Sequence, residues 1–243
     1  MGKFTIKPYL YALGLVVIFL IGIELQANGF IDEMLSYRED VVYLTLQHIE
    51  LVAISGGLAI VLAIPIGVVL SRPRFASIAE TAMQSLNIGT TIPTLAILAL
   101  AMSLLGIGIV PAIFGLTLAS LLPIVRNTYT GLLEVPAHLK EAAAGIGMTP
   151  NQMLFKVEIP NALFVIFAGI RVALAINVGT APLAFLIGGG GLGELIFTGI
   201  DLDEPNMMLA GAIPTSLLAI AIDMIIAMLI FLLIPKGVNP MRR

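Results

Sequence analysis

Few side chains in this sequence could carry out covalent chemistry. It contains no cysteine, which excludes disulfides, thiolate nucleophiles and thiolate metal ligands. The two histidines, His48 and His138, lie far apart and neither has a cluster of carboxylates beside it, which favours neither a metal site nor a catalytic triad. Gly188, Gly190 and Gly193 match a dinucleotide fingerprint, but that motif functions between a strand and a helix, and here it follows an apolar run. We therefore predict no catalytic residue and no metal site.

A second group of polar side chains lies inside long apolar runs, where it could line a path for a solute. Hydroxyls and amides at membrane depth are tolerated where they border a cavity or are met by neighbouring groups. Ordinary hydrogen bonding between helices explains the same residues equally well. The candidate pathway residues are Asn87, Thr90, Thr91, Thr94, Asn177 and Thr180.

Two charged residues, Arg171 and Asp223, also interrupt apolar runs. A charge near the middle of a membrane helix costs at least about 2.5–3.5 kcal/mol on insertion scales unless it is paired or hydrated. The two residues could act as a gate on a solute path, or they could form an interhelical pair that fixes packing. We expect the structural pair rather than the gate.

The elements that position these residues are predicted to be membrane helices. The chain has 243 residues, of which 59% are hydrophobic and only 11% charged, whereas soluble domains are about 25% charged. Because a helix needs about 20 mostly apolar residues to cross a bilayer, we predict an all-α polytopic membrane protein with a retained first helix. The six predicted spans are Tyr9–Ile23, Ile49–Leu70, Met83–Leu105, Ile107–Val125, Leu163–Ala184 and Met207–Ile234.

The basic residues predict the orientation of these spans, since short loops that carry Lys and Arg stay in the cytoplasm. If six spans alternate, one side receives Lys3, Lys7, Arg72, Arg74, Arg126, Lys140, Lys156, Lys236, Arg242 and Arg243. The opposite side receives Asp32, Glu33, Arg38, Glu39, Asp40, Asp201, Asp203 and Glu204. We therefore expect a multi-pass protein of the cell membrane with both termini in the cytoplasm.

The one substantial polar segment, residues 127–160, falls on the predicted cytoplasmic side. Its alanine-rich stretch from Leu139 to Ile146 predicts a short helix. Gly147 suits the position just after that helix, where a positive φ is needed. Thr149, Pro150 and Gln152 then predict a capping box that starts a second short helix, and Pro160 marks the entry to the fifth span.

The residues of this segment resemble the EAA loop of binding-protein-dependent ABC importer permeases. Glu141-Ala142-Ala143, Gly147 and Val157-Glu158-Ile159-Pro160 have the spacing of that motif. In the family the loop forms a coupling helix that docks on a cytoplasmic ATPase, which would assign Glu141, Ala142, Ala143, Gly147 and Pro160 to ATPase coupling. An interfacial helix that only contacts lipid headgroups would instead carry a basic face and bulky apolar anchors.

Two further stretches resemble the osmoprotectant branch of this family in particular, which moves glycine betaine, carnitine and choline. They are Thr91-Ile92-Pro93-Thr94-Leu95-Ala96 and Leu122-Pro123-Ile124-Val125-Arg126-Asn127-Thr128. The resemblance implies a single permease domain with a methionine-permease-like fold, in which residues 1–43 are accessory, 44–235 form the core and 127–160 form the coupling loop.

The resemblance also implies the assembly: two ABC ATPase subunits, a second permease copy that is identical or paralogous, an external solute-binding protein and the lipid bilayer. No nucleic acid is expected. The chain lacks the phosphate-binding pattern G-x-x-x-x-G-K-[ST], so it has no cofactor of its own and ATP would be bound by the partner subunit.

Three alternatives remain open. A permease for amino acids or sulfonates would have the same loop. An ion-coupled secondary transporter would be expected to carry more ionisable residues at the membrane midplane and an internal repeat. A purely structural membrane partner is the third alternative.

Overall fold

A computed structural model describes residues 30–235 and 237–238, and this part of the chain is helical, with no strand. The helices are α1 (Phe30–Ser36), α2 (Arg38–Leu70), α3 (Ala76–Gly89), α4 (Thr94–Leu105), α5 (Ile109–Leu133), α6 (Ala137–Gly145), α7 (Pro150–Met153), α8 (Ile159–Thr180), α9 (Gly193–Asp201) and α10 (Pro205–Leu233). Two 3₁₀ turns, Pro73–Phe75 and Ala181–Ile187, and a π turn, Leu154–Glu158, lie between them. The predicted all-α class is confirmed.

Four helical stretches of the described chain are long and apolar enough to cross a membrane, and a fifth crossing is possible if one bent pair is counted. The four are Arg38–Leu70, Ile109–Leu133, Pro150–Ile187 and Pro205–Leu233. They correspond to the predicted second, fourth, fifth and sixth spans. The predicted first span, Tyr9–Ile23, and the basic residues at both termini lie outside the described residues.

The predicted third span, Met83–Leu105, is not one straight helix. The chain bends by 99° between Pro73–Gly89 and Thr94–Leu105. Pro93 causes the break, because it has no N–H to donate and it disfavours a helical conformation at Ile92. Apolar composition alone cannot reveal such a bend, since both halves are hydrophobic.

The helices also extend beyond the predicted membrane boundaries. Helix α2 begins at Arg38, although its predicted span begins at Ile49, and Glu39 and Asp40 occupy its first turn. Carboxylates favour the N-terminal turn of a helix because they meet its exposed N–H groups. The predicted boundary between an accessory segment and a core, at residues 43 and 44, therefore lies inside a continuous helix. Helix α9 was not predicted.

Helices α2, α5 and α8 pack together as the centre of the bundle. Buried residues from all three form one apolar cluster, which includes Ala59, Ile124 and Ala173. Two glycines permit close approach: a Cβ on Gly67 would lie 2.9 Å from the backbone oxygen of Val125, and one on Gly169 would lie 2.5 Å from the side chain of Asn127. Small residues at such crossings are typical of helices that pack within a membrane.

Candidate functional site

The loop between α5 and α8 begins with α6, which ends at a tight turn. Gly147 has a φ of +80°, as its sequence position predicted. The Met148 N–H donates to the carbonyl of Ala143 at 3.0 Å, and the Gly147 N–H donates to that of Ala144 at 2.9 Å. These two bonds form a Schellman motif, which satisfies carbonyls that the helix end leaves without partners. The turn therefore fixes the angle at which the chain leaves α6.

The second half of the loop starts with the predicted capping box. The Gln152 N–H donates to Thr149 Oγ1, and the Thr149 N–H donates to Gln152 Oε1 at 2.9 Å. The predicted separate second helix is wrong, however, because the chain is helical without a break from Pro150 to Ile187. Pro160 sits inside this stretch. It lacks an N–H and would crowd the preceding turn, and the π turn at Leu154–Glu158 accommodates it.

The alanines of the loop do not all face outward. Glu141 and Ala142 are exposed, but Ala143 is only 3% exposed and packs within its own subunit. Its own chain therefore covers the Ala143 side chain in this conformation, and the predicted part of this residue in ATPase coupling stays a prediction. The residue supports the loop from inside.

Two bulky apolar side chains on the loop are exposed and were missed by the sequence motif. Ile146 is 75% exposed and Phe155 is 68% exposed. Ile146 lies outside the helical stretches that could cross a membrane, whereas Phe155 lies at the start of one of them, Pro150–Ile187, ahead of the predicted fifth span. Large apolar side chains that are exposed on a polar protrusion are candidates for a contact with another protein. The sequence signal that could have identified them is that both are large apolar residues in a mostly polar segment.

An ion pair attaches the π turn to α2. Arg72 Nη1 lies 2.5 Å from Glu158 Oε2. The charge pattern placed Arg72 on the loop side and the motif placed Glu158 in the loop, but nothing in their spacing predicted that they would meet.

The polar break between α3 and α4 uses its hydroxyls locally. Thr90 Oγ1 donates to the Asn87 carbonyl at 2.7 Å, and Thr91 Oγ1 donates to the Ile88 carbonyl at 2.7 Å. The two threonines thus cap α3, while Asn87, Thr90 and Thr91 remain exposed and Thr94 is half-buried. These four predicted pathway residues lie in one short stretch, residues 87–94, at the bend.

The other two predicted pathway residues lie elsewhere in the bundle. Asn177 is buried, and its Nδ2 donates to Ser55 Oγ at 3.0 Å and to Ser120 Oγ at 2.7 Å. Thr180 Oγ1 donates to the Ile176 carbonyl at 2.9 Å on its own helix. Asn177 therefore joins α2, α5 and α8 in this conformation, and its amide is occupied by that network.

Arg171 and Asp223 contact each other across α8 and α10. Arg171 Nε lies 2.5 Å from Asp223 Oδ1, and Nη2 lies 2.6 Å from Oδ2. Two parallel bonds of this kind fix the relative orientation of the two groups as well as their distance. Each side chain is 37% exposed in the isolated subunit, so the pair lies at the edge of the bundle rather than in its core.

One apolar groove lies beside the broken helix, and a second groove adjoins it between α2 and α5. The first, of about 300 Å³, is lined by Gly89, Ile92, Leu100 and Phe114 among others, and the second, of about 330 Å³, by Leu58, Leu62, Phe114 and Leu118 among others. Phe114 and Leu118 border both grooves, so they form one continuous apolar face on α2, α4 and α5. Among the described residues, no group of three His, Cys, Asp or Glu side chains could hold a metal ion.

The long apolar helices define a multi-pass helical membrane protein, and the described residues include an ordered polar loop that protrudes from it. The family described as "Binding-protein-dependent transport system inner membrane component" matches residues 63–236, and the chain belongs to that family. The predicted resemblance is confirmed, and membership identifies the chain as a multi-pass component of the inner membrane.

Curated relatives extend the match over most of the chain. The osmoprotectant import permease protein OsmY of Salmonella typhimurium is 52% identical over 88% of this chain and 92% of its own length. The choline transport system permease protein OpuBB of Bacillus subtilis is 44% identical over 90% of this chain and 95% of its own length.

A solved structure supports the same fold. The inward-facing MetNI methionine ABC transporter contains a chain that is 27% identical, with a TM-score of 0.64 over 77% of this chain and 94% of that one. The methionine-permease-like fold that the loop motif implied is confirmed.

Proposed function

We infer that this chain is the permease subunit of an ATP-driven importer for osmoprotectants such as glycine betaine, carnitine or choline. The observation that carries this inference is the 52% identity, over 88% of the chain, to an osmoprotectant import permease. A match over that share of the chain covers the loop and most of the membrane helices. The chain would supply the path through the membrane and perform no covalent chemistry itself.

The loop is the proposed contact with the ATPase, and it lies in the cytoplasm together with both termini. Ile146 and Phe155 would enter an apolar groove of the ATPase, with Glu141 and Ala142 beside them. The ordered turn at Gly147 presents these side chains without a large loss of conformational freedom on binding, which favours affinity. Closure of two ATPases around ATP would then move the loops and turn the pathway from one side of the membrane to the other.

A second permease copy is proposed to cover the apolar face beside the broken helix. Irregular backbone at membrane depth is tolerated only where protein or a water-filled cavity shields it from lipid. The break at Thr90–Pro93 is exposed in the single subunit, and the groove next to it is apolar. Two copies paired across this face would enclose the break and place Asn87, Thr90 and Thr91 beside a shared pathway.

Solute selectivity is proposed to reside mainly in an external binding protein. Quaternary ammonium groups are commonly held in cages of aromatic side chains. This chain has no tryptophan and only five tyrosines, so its core is poorly supplied for such a cage. The permease would then act as a low-affinity passage that accepts what the binding protein delivers.

Reconstituted transport tests the proposal. The complete transporter, with its ATPase and binding protein, is placed in proteoliposomes, and accumulation of labelled glycine betaine, carnitine and choline is compared with that of methionine and a sulfonate. We expect accumulation of at least one osmoprotectant that requires ATP and survives an ionophore. Accumulation of only methionine or the sulfonate would overturn the substrate assignment. Accumulation that needs no ATP and is abolished by the ionophore would overturn the transporter class.

A further inference from the structure

The Arg72–Glu158 ion pair is held in place from the α2 side. Besides its 2.5 Å contact with Glu158, the guanidinium donates through Nη2 to Ser71 Oγ at 2.8 Å and through Nε to the Val68 carbonyl at 3.3 Å. Ser71 Oγ in turn donates to the same Val68 carbonyl at 2.8 Å. The arginine is thus fixed to the last turn of α2 before it reaches across to the π turn.

The pair is also largely removed from solvent. The Glu158 side chain is 8% exposed and that of Arg72 is 28% exposed. Breaking a buried ion pair by removing one partner is costly because it leaves the other charge uncompensated, whereas replacing both partners by apolar residues is often neutral. The contact is therefore maintained as long as the two helices keep their relative position, and a movement of either helix pulls on the other.

Glu158 is placed where such a pull would matter. It is the last residue of the π turn, and the loop that carries Ile146 and Phe155 lies immediately before it in the chain. The backbone connects this loop directly to α5 and α8. The ion pair adds a third connection, to α2, that the backbone does not provide.

Helix α2 extends from this contact to the opposite end of the bundle. Its 33 residues correspond to about 50 Å at 1.5 Å per residue. Near its other end, Gln47 Oε1 accepts a hydrogen bond from the Gly191 N–H at 3.2 Å, and His48 Nε2 lies 3.1 Å from the Val178 carbonyl. One continuous helix therefore touches the loop at one end and the glycine-rich turn, residues 188–193, at the other.

We propose that the Arg72–Glu158 ion pair transmits displacement of the loop to α2, and so links ATP hydrolysis to displacement of the glycine-rich turn at the other end of the bundle. Arg72 and Glu158 are positioning residues in this account, since neither contacts the solute. The proposal rests on the proposed function, because it assigns these residues a part in ATP-driven import.

The decisive variant removes the pair without leaving a buried charge. Arg72→Met combined with Glu158→Leu keeps similar side-chain volume and eliminates the electrostatic link. Arg72→Lys keeps the positive charge, so it tests whether an ammonium that still reaches Glu158 can replace the guanidinium. Arg74→Met is the matched control: Arg74 lies two residues further along and is exposed.

Each variant is reconstituted in proteoliposomes with the ATPase and binding protein. The probe is whichever of glycine betaine, carnitine and choline the wild-type transporter accumulates fastest. Three quantities are measured: ATPase retained per permease, ATP hydrolysed and solute accumulated. A fourth measurement uses Glu194→Cys, an exposed site at the start of α9 in a chain without native cysteine, to follow thiol labelling of the permease with and without ATP.

We expect the double variant to retain the ATPase and to hydrolyse ATP, while solute accumulated per ATP falls about tenfold, a ratio within the usual range of coupling between sites. Its ATP-dependent change in labelling at position 194 should be lost. Arg72→Lys should retain most of the wild-type ratio of solute accumulated to ATP hydrolysed, and Arg74→Met should match the wild type.

Two results would overturn the proposal. A double variant with the wild-type ratio of solute to ATP would make the pair purely structural. A double variant that no longer retains the ATPase would make it part of docking instead of transmission. Wild-type proteoliposomes that accumulate none of the three probes would contradict the proposed function itself, which separates that failure from failure of the present inference.

Discussion

Gly147 is the position where a single methyl group should have the clearest effect on the loop. Its φ is +80°, and a Cβ added there would meet no atom within 4 Å. The cost of Gly147→Ala is therefore backbone strain alone, about 1–2 kcal/mol for an L-residue in the left-handed region. That cost corresponds to roughly a 5- to 30-fold loss in the population of the ordered turn.

Gly145 supplies the matched control two residues earlier. A Cβ there would also meet no atom within 4 Å, but its φ lies outside the left-handed region. Because alanine favours a helix over glycine by about 1 kcal/mol, Gly145→Ala should leave the turn unchanged or strengthen it. The same methyl group is thus expected to act with opposite sign at two neighbouring exposed positions.

Hydrogen exchange of the isolated permease in nanodiscs measures this effect without the ATPase. The Met148 amide reports on the turn, because it donates to the Ala143 carbonyl. Its exchange should accelerate roughly 5- to 30-fold in Gly147→Ala and stay equal or slow in Gly145→Ala. ATPase retention should fall in the first variant. Equal exchange rates in the two variants would refute the claim that positive φ at Gly147 holds the loop.

Three further changes test other parts of the structure. Ile146→Ser should weaken ATPase retention without lowering the melting temperature of the isolated permease, since the side chain is 75% exposed; a lower melting temperature with normal retention would contradict a docking role. Arg171→Leu should lower that melting temperature more than Arg171→Leu with Asp223→Leu, because the single change leaves a lone carboxylate among apolar helices; additive losses would exclude coupling between them. A reporter inserted near Thr149 should be cytoplasmic and one near Asp203 external, and the reverse result would contradict the proposed orientation.

Local chemistry made part of the loop predictable from sequence. The positive φ of Gly147 and the capping box at Thr149 each depend on residues within one or two turns, and both are present. The all-α class and four of the spans followed in the same way from apolar runs of sufficient length. These features are decided by neighbours along the chain.

The remaining features depend on contacts between distant segments. Arg72 and Glu158 are 86 positions apart, and Asn177 meets Ser55 across 122 positions. The motif could not show that Ala143 turns inward, because that depends on how α6 packs against the helix that follows the loop. The 99° bend was signalled by Pro93, but the apolar composition on both sides concealed it.

Because the chain is helical from Pro150 through the π turn at Leu154–Glu158 into α8, the number of residues in the loop motif sets the rotation of α6 about the axis of α8. Each residue of a helix adds about 100° of rotation and about 1.5 Å of rise. Deleting one residue between Pro150 and Met153, with the π turn kept, would therefore swing α6 and its exposed side chains about a quarter of a turn around the axis of α8, while the membrane part of that helix stayed in place. The number of residues in this interval thus sets the direction in which the exposed side chains of α6 point. Chains that differ there by one residue should be unable to exchange ATPases.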